Sequence, residues 1–133
     1  MNQWRWRFLA PEVIRGLPPT PRSDVWSLGV ILFRATTGGE PWPDETGVKL
    51  LQAIVLEEPR APRSLVADFP YALEAIVLKA LSRDPKDRYE DTDAFADALD
   101  RYMNEAVLSV EPAELADLVR GLLGDAAVGS PRR

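Results

Sequence analysis

The sequence carries few of the side chains with which enzymes usually do chemistry. Its 133 residues include no histidine and no cysteine. Histidine is the commonest general base and metal ligand, and the cysteine thiolate is a frequent nucleophile and metal ligand. Acidic residues such as Asp24, Asp84 and Asp87 are accounted for by helix caps and turns, and no acidic cluster has metal-ligand spacing. The sequence therefore predicts no catalytic, cofactor-binding or metal-binding residue.

One short run combines basic and aromatic residues, Trp4-Arg5-Trp6-Arg7. Such a run could stack on nucleic-acid bases. The net charge of the whole chain is −5, however, whereas binding to phosphates requires a basic surface. We therefore expect the two tryptophans to pack on the core, and we expect no nucleic-acid partner. Because the N-terminus lacks an apolar signal core, a cytoplasmic protein without membrane contact is predicted.

The elements that must position any site are helical. Between Ser23 and Phe33 the residues are apolar in every direction around a helix axis, and such a helix is surrounded by protein. Ser23 or Asp24 is expected to cap its start, and the Thr-Thr-Gly-Gly sequence at residues 36–39 is expected to end it. A buried central helix is thus predicted at roughly residues 23–37.

Apolar residues at helical spacing, with proline or aspartate at the ends, predict further helices around this one. They cover about residues 10–16, 44–58, 70–83, 92–104 and 112–123. Because no segment is predicted as a strand, the expected fold is all-α, with helices packed around the central helix. The expected organisation is one domain at residues 1–104, followed by an extension at residues 105–133 with one amphipathic helix and a frayed tail.

Four short motifs follow one another along the chain. They are Ala-Pro-Glu at residues 10–12, Asp-Val-Trp-Ser-Leu-Gly at residues 24–29, Gly-Gly-Glu-Pro-Trp-Pro at residues 38–43, and Leu-x-x-Asp-Pro-x-x-Arg at residues 81–88. In this order they resemble the C-terminal part of the large lobe of protein kinases, and most closely the bacterial serine/threonine type. The resemblance covers roughly residues 8–103.

The resemblance implies structural roles for the motif residues. The glutamate of the first motif, Glu12, pairs in the family with the arginine of the last motif, here Arg88, and carboxylate and guanidinium match as a two-pronged pair. In the family the residue at Asp24 accepts N–H bonds from the catalytic loop, although a helix cap is the safer role here. The predicted structural-motif residues are Ala10, Pro11, Glu12, Asp24, Trp26, Gly29 and Arg88. The candidate substrate-docking loop is Arg7, Phe8 and Leu9.

The family motifs for phosphoryl transfer do not occur in these 133 residues. There is no Gly-x-Gly-x-x-Gly, no His-Arg-Asp and no lysine before Ala10, and the Gly-Thr that usually precedes the docking loop is replaced by Trp4-Arg5. No cofactor is therefore expected, although the full family uses ATP and magnesium. The resulting prediction is a truncated serine/threonine kinase-like domain that keeps the scaffold and docking part of the large lobe and is inactive alone. It could be a gene fragment, a mis-called start or half of a split kinase.

The alternative is a helical interaction module, or half of a split kinase or pseudokinase, that acts through a partner. In a whole kinase, upstream helices and the catalytic loop help to cover the central helix, and these residues lack them. An apolar patch is therefore expected, to be covered by a protein partner or by self-association, unless the N-terminal tryptophans and the final helix cover it. The residues expected at this patch are Val25, Leu28, Ile31, Leu32 and Phe33.

Overall fold

The computed structural model describes residues 3–43 and 45–109, together with positions 113, 117, 120 and 121. Its α-helices are α1 (Pro11–Ile14), α2 (Pro21–Thr37), α3 (Gly47–Leu56), α4 (Tyr71–Ala80) and α5 (Thr92–Ser109). Short 3₁₀ helices occupy Gln3–Phe8, Pro62–Ser64 and Pro85–Asp87. The all-α prediction is confirmed, since the described residues contain no strand. Among these same residues, no helix combines the length and the apolar character needed to cross a membrane.

The chain divides into two compact units, residues 1–99 and residues 100–133, and the division falls within α5. All four motifs lie in the first unit. In the second unit, most of the helix predicted at residues 112–123 and the predicted tail lie outside the described residues. The expectation that this helix covers the central helix concerns the same residues. The described positions 113, 117, 120 and 121 are helical, and Asp117 pairs with Arg120. The domain boundary predicted after residue 104 stays a prediction.

The central helix, α2, begins two residues earlier than expected because Thr20 caps it. The Thr20 hydroxyl accepts the N–H of Ser23 at 3.3 Å, and the Ser23 hydroxyl accepts the N–H of Thr20 at 2.6 Å. Pro21 fits the first helical position, where no N–H is needed. The cap predicted at Ser23 or Asp24 is therefore wrong: Ser23 supports the cap from the first turn, and Asp24 lies in that turn and is exposed.

The other helix ends differ from the predicted ones by a few residues. An aspartate was expected at the start of α5, and Asp91 caps this helix: its carboxylate accepts the N–H of Ala94 at 2.8 Å. The helix then continues to Ser109, beyond its expected end near residue 104. Helix α3 begins at Gly47, after Thr46, and the predicted start at Asp44 lies outside the described residues. These shifts leave the order of the helices unchanged.

One face of α2 forms the centre of the core. This face packs against α4, the N-terminal 3₁₀ helix and the 3₁₀ turn Pro85–Asp87. Trp26 stacks on Trp42, with ring centroids 5.6 Å apart, so the segment after α2 folds back over the helix. The large apolar side chains of α2 that are fully or almost fully buried are those of Val25, Trp26, Val30 and Phe33. Ser23 and Gly29 are buried as well.

The opposite stripe of α2 is apolar but faces outward. Leu28 is 42% exposed and Ile31 is 50% exposed. Two of the residues expected at the apolar patch are thus exposed, whereas Val25 and Phe33, which were also expected there, are buried against other helices. A groove of about 280 Å³ runs between this stripe and the first half of α5. Its apolar lining is Leu28, Ile31, Leu32, Ala35, Phe95, Ala96 and Leu99.

The close approach of α2 and α4 depends on Gly29. A Cβ atom at this position would lie 2.9 Å from Cβ of Ala80 and 3.2 Å from Cδ2 of Leu81. We expect Gly29→Ala to lower the free energy of unfolding by about 1–3 kcal/mol through overpacking. Helix propensity alone would act in the opposite direction by about 1 kcal/mol. Urea unfolding followed by circular dichroism measures the difference.

The control for this prediction is Ala35→Gly on the exposed stripe of the same helix. It should cost about 1 kcal/mol from propensity alone. A Gly29→Ala protein as stable as the unmodified chain would contradict the tight packing of α2 on α4.

Candidate functional site

The site is built around a buried ion pair between Glu12 and Arg88. Nη1 of Arg88 lies 2.7 Å from Oε2 of Glu12, and Nη2 lies 2.7 Å from Oε1. Arg88 is 3% exposed and Glu12 is 7% exposed. The predicted pair is therefore present, and it joins positions that are 76 residues apart in the sequence.

The remaining N–H groups of the Arg88 guanidinium also have partners. Nε donates to the carbonyl of Ser82 at 2.7 Å, Nη1 to the carbonyl of Arg22 at 3.1 Å, and Nη2 to the carbonyl of Arg83 at 3.1 Å. Together with the two bonds to the carboxylate, these use all five donors of a guanidinium. The guanidinium carbon also lies 5.0 Å from the ring centroid of Trp26, a favourable position for a cation.

Local structure places the two charged partners. Glu12 sits in the first turn of α1, directly after Pro11, which is buried and occupies the first helical position. Arg88 follows the 3₁₀ turn Pro85–Asp87, whose start is capped by the carboxylate of Asp84. Arg22 of α2 then donates to the carbonyls of Pro85 at 3.4 Å and Arg88 at 3.2 Å. The pair thus links α1, α2 and the turn before α5.

Sequence reasoning missed Arg22. It lies at an ordinary helix start, and no feature of the sequence indicates that its side chain reaches the last motif. Only the contacts of the folded chain identify it.

The electrostatic surroundings keep the Glu12 carboxyl ionised. Burial by itself raises the pKa of Glu12, but hydrogen bonds from Arg88 and from a backbone N–H, with the nearby positive charges of Arg88 and Arg15, outweigh it, so the pKa is lowered. A general acid or base needs a pKa near the working pH. Glu12 therefore suits a structural role rather than proton transfer.

The candidate docking residues adjoin this site at the N-terminal side of α1. They do not form a loop: Arg7 and Phe8 end the 3₁₀ helix, and Leu9 follows it. The hydroxyl of Ser27 in α2 donates to the carbonyl of Phe8 at 2.6 Å. The guanidinium carbon of Arg34, also in α2, lies 5.5 Å from the centroid of the Phe8 ring. The docking segment is thereby held along the central helix.

Glu40, in the third motif, braces the same segment. Its carboxylate lies 3.0 Å from Nε of Arg34 and 3.7 Å from Nη1 of Arg7. Its carbonyl accepts a bond from Nε of Arg60 at 2.8 Å. Glu40 and Arg34 were not predicted as site residues. One signal was available, since Arg34 is the only charged residue between Asp24 and Glu40.

The other predicted residues lie in the core or at the surface. Ala10 and Trp26 are each 1% exposed, and Gly29 contacts α4. Trp6 is half-buried, and the side chain of Trp4 lies outside the described residues. Among the described residues, no group of three or more acidic side chains is placed to hold a metal ion.

The buried pair predicts a large loss of stability when one partner is removed. Glu12→Ala should lower the free energy of unfolding by about 3 kcal/mol, because the Arg88 charge then stays buried without its counterion. Arg88→Ala should cost at least as much, since three backbone carbonyls also lose a donor. The double variant should lose less than the sum of the two.

Urea unfolding of the four proteins in this double-mutant cycle measures the coupling. Exposed pairs of this type contribute about 1 kcal/mol or less. The Arg83–Glu58 pair, in which Glu58 is exposed, is therefore a suitable control. Additive losses for Glu12 and Arg88 would refute the coupling.

Comparisons with known proteins agree with this geometry. The family model of the protein kinase domain matches residues 4–100. The tyrosine-protein kinase MasK of Myxococcus xanthus is 36% identical over 121 residues, which is 91% of this chain and 19% of MasK. The serine/threonine-protein kinase PknB of Mycolicibacterium smegmatis is 39% identical over 84 residues, which is 63% of this chain and 13% of PknB.

The serine/threonine-protein kinase PksC of Streptomyces coelicolor is 33% identical over 91 residues, which is 68% of this chain and 16% of PksC. The chain thus spans less than a fifth of the length of each of these relatives. Because the family model covers well over half of the chain, and includes the motifs that the buried pair joins, the chain belongs to the protein kinase domain family and corresponds to a helical part of that domain.

Proposed function

We propose that these residues form the scaffold and substrate-docking part of a kinase large lobe, and that they do not transfer phosphate by themselves. The observation that carries the proposal is the Glu12–Arg88 pair, whose guanidinium donors are all used inside the protein. The pair anchors α1, and the docking segment Arg7–Leu9 leads directly into that helix. The role of the Glu12–Arg88 pair is therefore to hold the docking surface in place rather than to take part in a reaction.

The chemistry of phosphoryl transfer supports the second half of the proposal. The reaction needs groups that cradle the triphosphate, hold the magnesium ions and orient the acceptor hydroxyl. None of the family's motifs for these tasks occurs in the 133 residues. The relatives named above are serine/threonine and tyrosine kinases. We favour serine or threonine as the phosphate acceptor of the whole kinase domain. The cytoplasmic location stays a prediction.

This proposal predicts no nucleotide site in the isolated 133-residue chain. A ligand at one hundred times its dissociation constant stabilises a protein by about 2.7 kcal/mol, which is readily seen as a rise in melting temperature. Thermal unfolding with ATP and magnesium together should show no saturable rise. Magnesium alone and ATP with a chelator are the controls. A saturable rise that needs both components would overturn the proposal.

A second candidate function, a protein-interaction module, is supported by the groove on α2. Seven of the eight residues that line it are apolar, and two of these, Leu28 and Ile31, are about half exposed. A groove between two helices suits a partner helix that presents apolar side chains at every third or fourth position. We propose that a protein partner or a second copy of the chain covers it.

The groove predicts association that a single charge would weaken. Ile31→Glu should shift the chain toward the monomer and lower binding of a dye for apolar surfaces, because a carboxylate there opposes burial. Light scattering after size-exclusion chromatography measures the mass. The matched control is Val48→Glu, since Val48 is 64% exposed on α3, away from the groove lining. A dye-free monomer in the unmodified chain would contradict this function.

A further inference from the structure

The connection between α1 and α2 combines three prolines with an exposed leucine. Residues 17–21 read Leu-Pro-Pro-Thr-Pro, and we call them the proline segment. Pro18 and Pro21 stand three positions apart, which is the Pro-x-x-Pro spacing of segments that bind aromatic-lined grooves. Because so short a motif also arises by chance, its conformation and exposure decide whether it can bind.

The proline segment is extended and stiff. A residue that precedes proline is restricted to extended conformations, and this applies to Leu17, Pro18 and Thr20. Thr20 has φ −133° and ψ 171°, and residues 17–20 form neither helix nor turn. Each proline ring also fixes its own φ near about −65°. A segment that is already extended in this way loses little conformational entropy when it binds a partner.

Hydrogen bonds hold both ends of the segment. At the first end, the N–H of Leu17 donates to the carbonyl of Glu12 at 3.0 Å, and Gly16 has the positive φ of 101° that ends α1. At the other end, Thr20 caps α2 through its bonds with Ser23. Because Glu12 is itself part of the buried ion pair, the segment is attached to that pair at its first end.

The segment is open to solvent over its whole length. Leu17 is 59% exposed, and the four residues that follow it are exposed as well. The carbonyl groups of Leu17, Pro18 and Pro19 accept no hydrogen bond from the described residues. A partner can therefore reach the apolar rings and donate hydrogen bonds to these carbonyls without unfolding the chain.

A hollow of about 440 Å³ lies along the segment. Pro18 and Pro21 line it, and so does Pro85 of the last motif. Glu12 and Arg22 also line it, but both already have partners inside the protein. An aromatic side chain of a partner that enters the hollow would pack there against proline rings.

We propose that the proline segment is a binding site for a protein domain that recognises extended proline-rich chains through an aromatic-lined groove. In a polyproline II helix, which has three residues per turn, Pro18 and Pro21 fall on one edge and Pro19 falls on another. The aromatic side chains of the groove pack against the first edge, next to Leu17, and polar side chains donate to the exposed carbonyls. The site goes beyond the docking function, because it uses neither the docking segment nor the groove on α2.

The test is binding of purified SH3 domains, whose aromatic-lined grooves recognise Pro-x-x-Pro segments, to the folded 133-residue chain. A panel of such domains is labelled, and fluorescence anisotropy measures the dissociation constant of each. A synthetic peptide of residues 15–22 serves as the comparison ligand. We expect saturable binding of the chain to at least one domain, and we expect the peptide to compete with it.

Two matched variants test whether the edge formed by Pro18 and Pro21 makes the contact. Pro18→Ala should weaken binding about fivefold or more, because an apolar ring is lost from the contact. Pro19→Ala removes a ring from the same segment but from another edge, so it should change the dissociation constant less than about twofold. Circular dichroism and melting temperatures check that both variants fold like the unmodified chain.

The variants and the peptide give distinct outcomes. Saturable binding that Pro18→Ala weakens and Pro19→Ala preserves is the expected result. Equal weakening by the two variants would overturn the site, because the spacing of Pro18 and Pro21 would then not be what the partner recognises. Binding of the peptide without binding of the chain would show that the folded chain hides the segment. That result, or absence of saturable binding to every domain of the panel, would also overturn the proposal.

Discussion

The buried guanidinium of Arg88 is the constraint on which the rest of the structure depends. A charge withdrawn from water costs several kcal/mol unless partners replace the solvent. Arg88 has five N–H donors to satisfy, and their partners come from separate parts of the chain: the Glu12 carboxylate in α1, the Arg22 carbonyl in α2, and two carbonyls in the segment after α4. Each segment must therefore be in place before the charge can be buried. The pair thereby favours this one arrangement of α1, α2 and the last motif over other compact arrangements of the same helices.

From this centre, a continuous line of contacts leads to the docking segment. Arg88 lies over one ring of the stacked pair formed by Trp26 and Trp42. Trp42 belongs to the same turn as Glu40, whose carboxylate pairs with Arg34. Arg34 in turn lies over the ring of Phe8, and the Phe8 carbonyl is bound by Ser27. The third motif thus connects the two regions: Trp42 stacks on Trp26, and Glu40 pairs with Arg34 and Arg7. This explains why the four motifs, although far apart in sequence, form one structural unit.

The sequence could predict the features that depend on residue type and spacing. The helices follow from apolar periodicity, and the Glu12–Arg88 pair follows from two motif positions. The residue that caps α2 could not be predicted in the same way, because Thr20, Ser23 and Asp24 are all good capping residues. In the structure, Thr20 is the cap, since Pro21 occupies the first helical position and Ser23 makes the reciprocal bond. The sequence also could not show which face of α2 is exposed. A helix that is apolar all round has no preferred face in its sequence, so only the packing shows which of its residues turn inward.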